Sequence, residues 1–123
     1  FLQLSPYTPP SWASGLSAPS SRVALGRLPT PIHAWSPPGL EGRQCFIKRD
    51  DFSGFDLSGN KVRKLEFLLA EALRSGCDSI VTIGGVQSNH CRASACAAKL
   101  LGLEPHVILR VRESDQEDPG LAG

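Results

Sequence analysis

Residues Asp78–Val111 read DSIVTIGGVQSNHCRASACAAKLLGLEPHVILRV, and the fold depends on how this stretch divides. The run DSIVTI (78–83) is short and rich in β-branched residues, which suit an extended strand. GGVQSN (84–89) joins two glycines to Ser and Asn, a turn followed by helix-capping residue types. HCRASACAAKLLG (90–102) is an Ala-rich helix that stops at Gly102. PHVILRV (105–111) is a second apolar run and is expected to be a buried strand. Strand, helix and strand in this order predict two parallel strands joined by a right-handed crossover. Alternation of this kind belongs to an α/β layer fold, here with a thin Ala-rich helix able to pack close to its sheet.

Upstream, Val62, Leu65, Leu68, Leu69, Ala72 and Leu73 recur at helical spacing. Ser58 or Asn60 is suited to cap the start of that helix, and Gly76 its end. SGFDLSG (53–59) reads as a loop, and QCFIKRD (44–50) as a short strand with Cys45 and Ile47 on one face and Phe46 and Lys48 on the other. Residues 1–42 are rich in Pro, Ser and Gly, and repeated Pro removes amide donors and blocks helix propagation. They are expected to form an irregular arm anchored by Trp12, Leu28, Ile32 and Trp35. The division expected is thus an arm over 1–42 and an incomplete α/β catalytic region over 43–123.

A net charge of +1, with both signs interspersed, gives no electrostatic footprint for nucleic acid and no polybasic membrane segment. No apolar run approaches the ~20 residues of a membrane helix. Cys45, Cys77, Cys91 and Cys96 form no C-x-x-C pair and read as free intracellular thiols. His90, Cys91 and Cys96 do not suggest a metal site, because a fourth ligand is not evident. The chain of 123 residues contains no Met and ends in EDPGLAG, a turn-like string; both ends read as cut, and a longer protein is expected.

Two places are suited to chemistry. The turn at Gly84–Asn89 would sit beyond the carboxyl end of a strand, where open α/β sheets bind ligands. Its glycines permit close approach, and the helix start offers unpaired amides and a positive dipole end. Carboxylate or phosphate would suit it, yet Ser88 and Asn89 are also what any capped helix start shows. The spacing is neither that of a dinucleotide fingerprint nor that of a Walker loop. The second place is SGNKVRKLEF (58–67). Lys61 falls in the first helical turn, where the macrodipole disfavours a cation and so favours the neutral amine a nucleophile needs. Lys64 lies one turn on. The plain alternative is a solvated basic turn of Lys61, Arg63 and Lys64 balanced by Glu66.

LSGNKVRKLEF, followed some twenty residues later by TIGGVQSNHCRA, resembles the D-cysteine desulfhydrase and 1-aminocyclopropane-1-carboxylate deaminase family. PYTPPSWAS, LPTPIHAW, IKRDDFSG and the terminal DPGLAG resemble its plant-type desulfhydrases in particular. The resemblance implies the N-terminal part of a tryptophan-synthase-β-like, fold type II enzyme that uses pyridoxal 5'-phosphate. It implies Lys61 as the lysine joined covalently to the cofactor and Lys64 as a second lysine near it. It implies Ser88 facing the substrate, Asn89 bonded to the cofactor ring hydroxyl, and Ser88, Asn89 and His90 holding the substrate carboxylate. Desulfhydrases of this family tend to read S-N-H, as at Ser88–His90, and deaminases S-N-Q. The implied reaction is α,β-elimination from D-cysteine, giving pyruvate, ammonia and hydrogen sulfide.

A small amino-acid substrate, a homodimer at full length and a mitochondrial location follow from the same resemblance. The family's Gly-rich phosphate loop, its pyridine-nitrogen partner and its substrate-side tyrosines have no counterpart in these 123 residues. The chain alone is therefore expected to be inactive and to leave apolar surface uncovered. Competing readings are a 1-aminocyclopropane-1-carboxylate deaminase, a non-catalytic anion-binding module and an inactive truncated product.

Overall fold

A computed structural model describes residues 2–54, 57 and 59–111. Two short antiparallel pairs come first. Strand β1 (Leu4–Pro6) pairs with β2 (Ser21–Val23), and β3 (Ile32–Trp35) pairs with β4 (Cys45–Lys48). Helix α1 spans Lys61–Arg74, and β5 (Ser79–Gly85), α2 (Asn89–Leu100) and β6 (Glu104–Arg110) follow it. Strands β5 and β6 are parallel, in register from Ser79 opposite Glu104 to Gly85 opposite Arg110. The chain is thus mixed α/β, with the β-α-β unit that the spacing predicts.

Both helices stop in the same way. Gly76 and Gly102 adopt φ of 70° and 76°, a left-handed conformation that costs glycine little. The Cys77 and Leu103 amides then bond back to the Ala72 and Ala98 carbonyls, and the two glycine amides to Leu73 and Lys99. That double bond set satisfies carbonyls the helix end would leave open. Val62, Leu65 and Leu69 of α1 pack with Ala93, Ala97 and Ala98 of α2, closed by Leu57 and Leu103. Burying each of the larger aliphatic side chains contributes about 2 kcal/mol. Leu68, although on the helical repeat, points to solvent.

The strands depart from the sequence reading in three respects. Strand β5 runs two residues past Ile83, because Leu109 and Arg110 continue the ladder to Gly84 and Gly85. Strand β6 is not buried: Val107, Ile108 and Leu109 are exposed, as are Val81 (69 %) and Ile83 on β5. Helix α2 covers one face of this two-stranded sheet, and nothing among the described residues covers the other. The expected uncovered apolar surface is therefore here. Third, the arm is not irregular throughout, since β1, β2 and β3 lie in it.

Nor do its tryptophans anchor it. Trp12 is 83 % exposed, and Ile32 and Trp35 are exposed as well. Smaller contacts fix the arm. Val23 is fully buried, the Tyr7 ring meets Phe67 edge-on at 4.9 Å, and the Arg27 amide bonds to the Ser53 carbonyl. Glu66, 1 % exposed, is the largest of the fully buried side chains, and its Oε1 accepts the Leu25 and Gly26 amides at 3.0 Å each. Its Oε2 lies 3.8 Å from Arg22 Nε. Glu66 is thus no solvated counter-charge, as its place among basic residues suggests, but a buried acceptor joining α1 to the arm. No helix among the described residues is long and apolar enough to cross a membrane.

Candidate active site

Lys61 is the first residue of α1. The approach to it is held from below by Ser53, which is fully buried. Ser53 Oγ donates to the Asp50 carbonyl at 2.7 Å and accepts the Gly59 amide at 3.0 Å. The Gly59 amide also reaches the Asp50 carbonyl at 3.0 Å. Gly59 has φ of +92°, and a Cβ there would stand 3.0 Å from Asn89 Nδ2. Glycine is favoured by the backbone angle, and the neighbour leaves little room for a side chain. This contact joins the two sequence motifs: the residue two before Lys61 lies against the first residue of α2.

Of the two expected N-terminal caps of α1, only Asn60 is among the described residues. Asn60 occupies the cap position with a helical backbone and makes no side-chain cap bond. Ser58 lies outside the described residues. Among the described residues no side-chain hydrogen bond or ion pair engages Lys61, which is half-buried, or Lys64, which is exposed. Arg63 between them is committed. Its Nη2 meets Asp50 Oδ1 at 2.7 Å and Thr30 Oγ1 at 2.9 Å. The charge-assisted bond from Arg63 is the main reason the Asp50 carboxyl sits below its ordinary range, and the same bond raises the Arg63 guanidinium. The basic turn is therefore not uniformly solvated: Arg63 is paired with Asp50, and Lys64 is exposed.

At the second motif, Ser88 is the N-cap of α2, and its Oγ accepts the Cys91 amide at 3.2 Å. The capping alternative is realised, yet it leaves the hydroxyl proton available to a ligand. Gly84 makes the close packing possible. A Cβ at Gly84 would fall 2.6 Å from Cys91 Sγ and 2.8 Å from Ser88 Oγ. Asn89 Oδ1 accepts from Arg92 Nη2 at 2.8 Å, which orients the Asn89 amide. His90 is half-buried in the first turn. The amides of Asn89 and His90 are the first two of the helix, positions its own ladder does not use.

Two helix N-termini therefore converge, with a lysine on one and a hydroxyl, a carboxamide and first-turn amides on the other. The aligned dipoles favour anions at both ends. A cofactor carrying an aldehyde and a phosphate, together with an amino-acid carboxylate, fits this donor set in kind: an uncommitted amine for the first, amides for the anions. Asp50, Ser53 and Thr30, which hold the lysine end, carry no sequence signal. They lie 8 to 31 residues from Lys61 and follow no helical or strand period.

A profile of the family described as "Pyridoxal-phosphate dependent enzyme" matches residues 23–118 and so includes both motifs. The chain belongs to this family. Among curated proteins it is 58 % identical, over all of its length and 31 % of the other's, to the "Bifunctional D-cysteine desulfhydrase/1-aminocyclopropane-1-carboxylate deaminase, mitochondrial" of Arabidopsis thaliana. It is 49 % identical, over 72 % of its length and 27 % of the other's, to a "D-cysteine desulfhydrase" of Klebsiella pneumoniae. Its fold matches the crystal structure of an "ACC deaminase homologue" with a TM-score of 0.67 and 44 % identity, covering 75 % of this chain and 29 % of that one. The chain thus spans about a third of the length of the curated relatives it matches.

Proposed function

We propose that this family member carries the lysine-bearing part of a pyridoxal-phosphate-dependent lyase of tryptophan-synthase-β-like fold that acts on D-cysteine. The observation that supports it most is the contact of Gly59 with Asn89, which brings the Lys61 and Ser88–Asn89 helix starts to one place. In this reading Lys61 holds the cofactor covalently, Lys64 lies beside it, and the Asn89 carboxamide bonds its ring hydroxyl. The Asn89 and His90 amides, with the Ser88 hydroxyl, hold the substrate carboxylate. Pyridoxal phosphate, when bound, supplies an electron sink for charge developing at the substrate Cα.

Lys61 would also be placed to take the substrate Cα proton as general base. The Ser88 hydroxyl is placed to position the substrate or relay a proton. Loss of the Cβ thiolate and addition of water then balance D-cysteine and water against pyruvate, ammonia and hydrogen sulfide. A second reading, deamination of 1-aminocyclopropane-1-carboxylate, is favoured by the bifunctional name of the Arabidopsis relative. That relative's name also supports a mitochondrial setting.

The test is a chimera in which residues 1–123 replace the matching third of the Arabidopsis protein. Pyruvate and sulfide release from D-cysteine is expected to persist and to disappear with Lys61→Ala. Faster turnover of 1-aminocyclopropane-1-carboxylate would select the second reading. Persistence of either activity in Lys61→Ala would refute both.

A further inference from the structure

We propose that Asp50 and Ser53 are positioning residues for Lys61, an inference that rests on Lys61 being the cofactor lysine. Asp50 holds the helix start from two sides. Its carbonyl accepts the Gly59 amide at 3.0 Å, two residues before Lys61. Its carboxylate receives Arg63 Nε at 3.2 Å and Nη2 at 2.7 Å, two residues after Lys61. Thr30 closes the ring, accepting Arg63 Nη2 at 2.9 Å and donating to Asp50 Oδ1 at 3.3 Å. Lys48 Nζ in turn donates to the Thr30 carbonyl.

Ser53 is the wedge under this ring. Its fully buried hydroxyl bonds the Asp50 carbonyl, the Gly59 amide and the Gly59 carbonyl. On the other side Gly59 faces the Asn89 side chain, where a Cβ added to it would stand 3.0 Å from Nδ2. The backbone before Lys61 is therefore held between Asp50 and Ser53 below and α2 above. The placement of the Lys61 amine relative to the α2 amides is set by this clamp, because first-turn residues otherwise fray. Neither Asp50 nor Ser53 needs to touch cofactor or substrate.

The experiment uses Asp50→Asn, Ser53→Ala and the milder Arg63→Lys in the full-length chimera described above, with Asp51→Asn as control. Asp51 pairs with Arg49 at 2.6 Å and touches neither Gly59 nor Arg63. Two quantities are read below the melting transition. One is amide exchange at Gly59 by NMR. The other is the ratio of Lys61 to Lys99 labelled by pyridoxal phosphate and borohydride. Ser53→Ala is expected to speed Gly59 exchange, and Ser53→Ala and Asp50→Asn to lower the labelling ratio, each about tenfold, the scale of one hydrogen bond to a charged or buried group. Arg63→Lys should fall between, and Asp51→Asn should match wild type.

If Asp50→Asn and Ser53→Ala lower the melting temperature but leave both quantities at wild-type values, the role is merely structural and the proposal is overturned. If wild type itself shows no preference for Lys61, the cofactor reading fails instead, and Gly59 exchange alone decides whether the clamp exists.

Discussion

Glu66→Ala offers a sharp test of how the arm is held, because helix propensity and tertiary structure predict opposite signs. Alanine is the better helix former, so judged as a helix-surface residue the change would be neutral or slightly stabilising. The structure predicts a loss. Glu66 Oε1 accepts two backbone amides, from Leu25 and Gly26, and the side chain is 1 % exposed. Leaving a buried donor unsatisfied costs about 1–3 kcal/mol per group. Some water can reach these partly buried amides, so a total of about 2–4 kcal/mol is the reasonable expectation. Arg22 also loses its partner, but at 3.8 Å and partly exposed that pair adds little.

Glu66→Gln separates the two contributions. It keeps an acceptor for both amides and should cost only about 1 kcal/mol, the difference between charged and neutral hydrogen bonds. Urea unfolding of the three proteins, followed by circular dichroism and Trp fluorescence, measures the order directly. The exposed Trp12 and Trp35 report on the arm. Equal midpoints for wild type and Glu66→Ala would refute the assignment of Glu66 as the tie between α1 and the arm.

Other outcomes follow from the same contacts. Gly84→Ala places a Cβ 2.6 Å from Cys91 Sγ and should destabilise by about 1–3 kcal/mol, read as a lower urea midpoint with unchanged slope. Asp50 is held below its ordinary value of 3.8, first by the hydrogen bond from Arg63. A depressed folded-state value means the pair's stabilisation is present above 3.8 and is lost as pH falls below it through the folded value. Stability of wild type should therefore fall more steeply than that of Asp50→Asn in this acid window. Parallel acid limbs for the two proteins would show that Asp50 is not paired in solution.

What the sequence made legible was the part governed by local periodicity. The β-α-β unit, the helical repeat of α1 and the glycine stops at Gly76 and Gly102 follow from patterns a few residues long. The site was legible as two motifs, Lys61 and Ser88–Asn89, and not as one place, because nothing local links residues 59 and 89. The supports were hidden for the same reason. Asp50 meets Arg63 across thirteen residues of loop and helix, and Glu66 meets Leu25 across forty-one. A glutamate among Lys and Arg looks solvated until the arm covers it. The strands of the arm escaped notice because each is only three or four residues long and lies in a Pro-rich stretch. Strand β6 has the composition of a buried strand, but burial depends on what else packs there, and α2 supplies a single covering layer.

The central claim is that Lys61 is the residue that holds the cofactor, and one measurement addresses it most directly. The chimera that carries residues 1–123 in the full-length relative is incubated with pyridoxal phosphate, reduced with borohydride and digested, and the modified peptides are weighed. The account predicts a phosphopyridoxyl group on the peptide containing Lys61 in clear excess over those containing Lys48 and Lys99. Labelling spread evenly over these lysines, or unchanged in total when Lys61 is replaced by Ala, would contradict it.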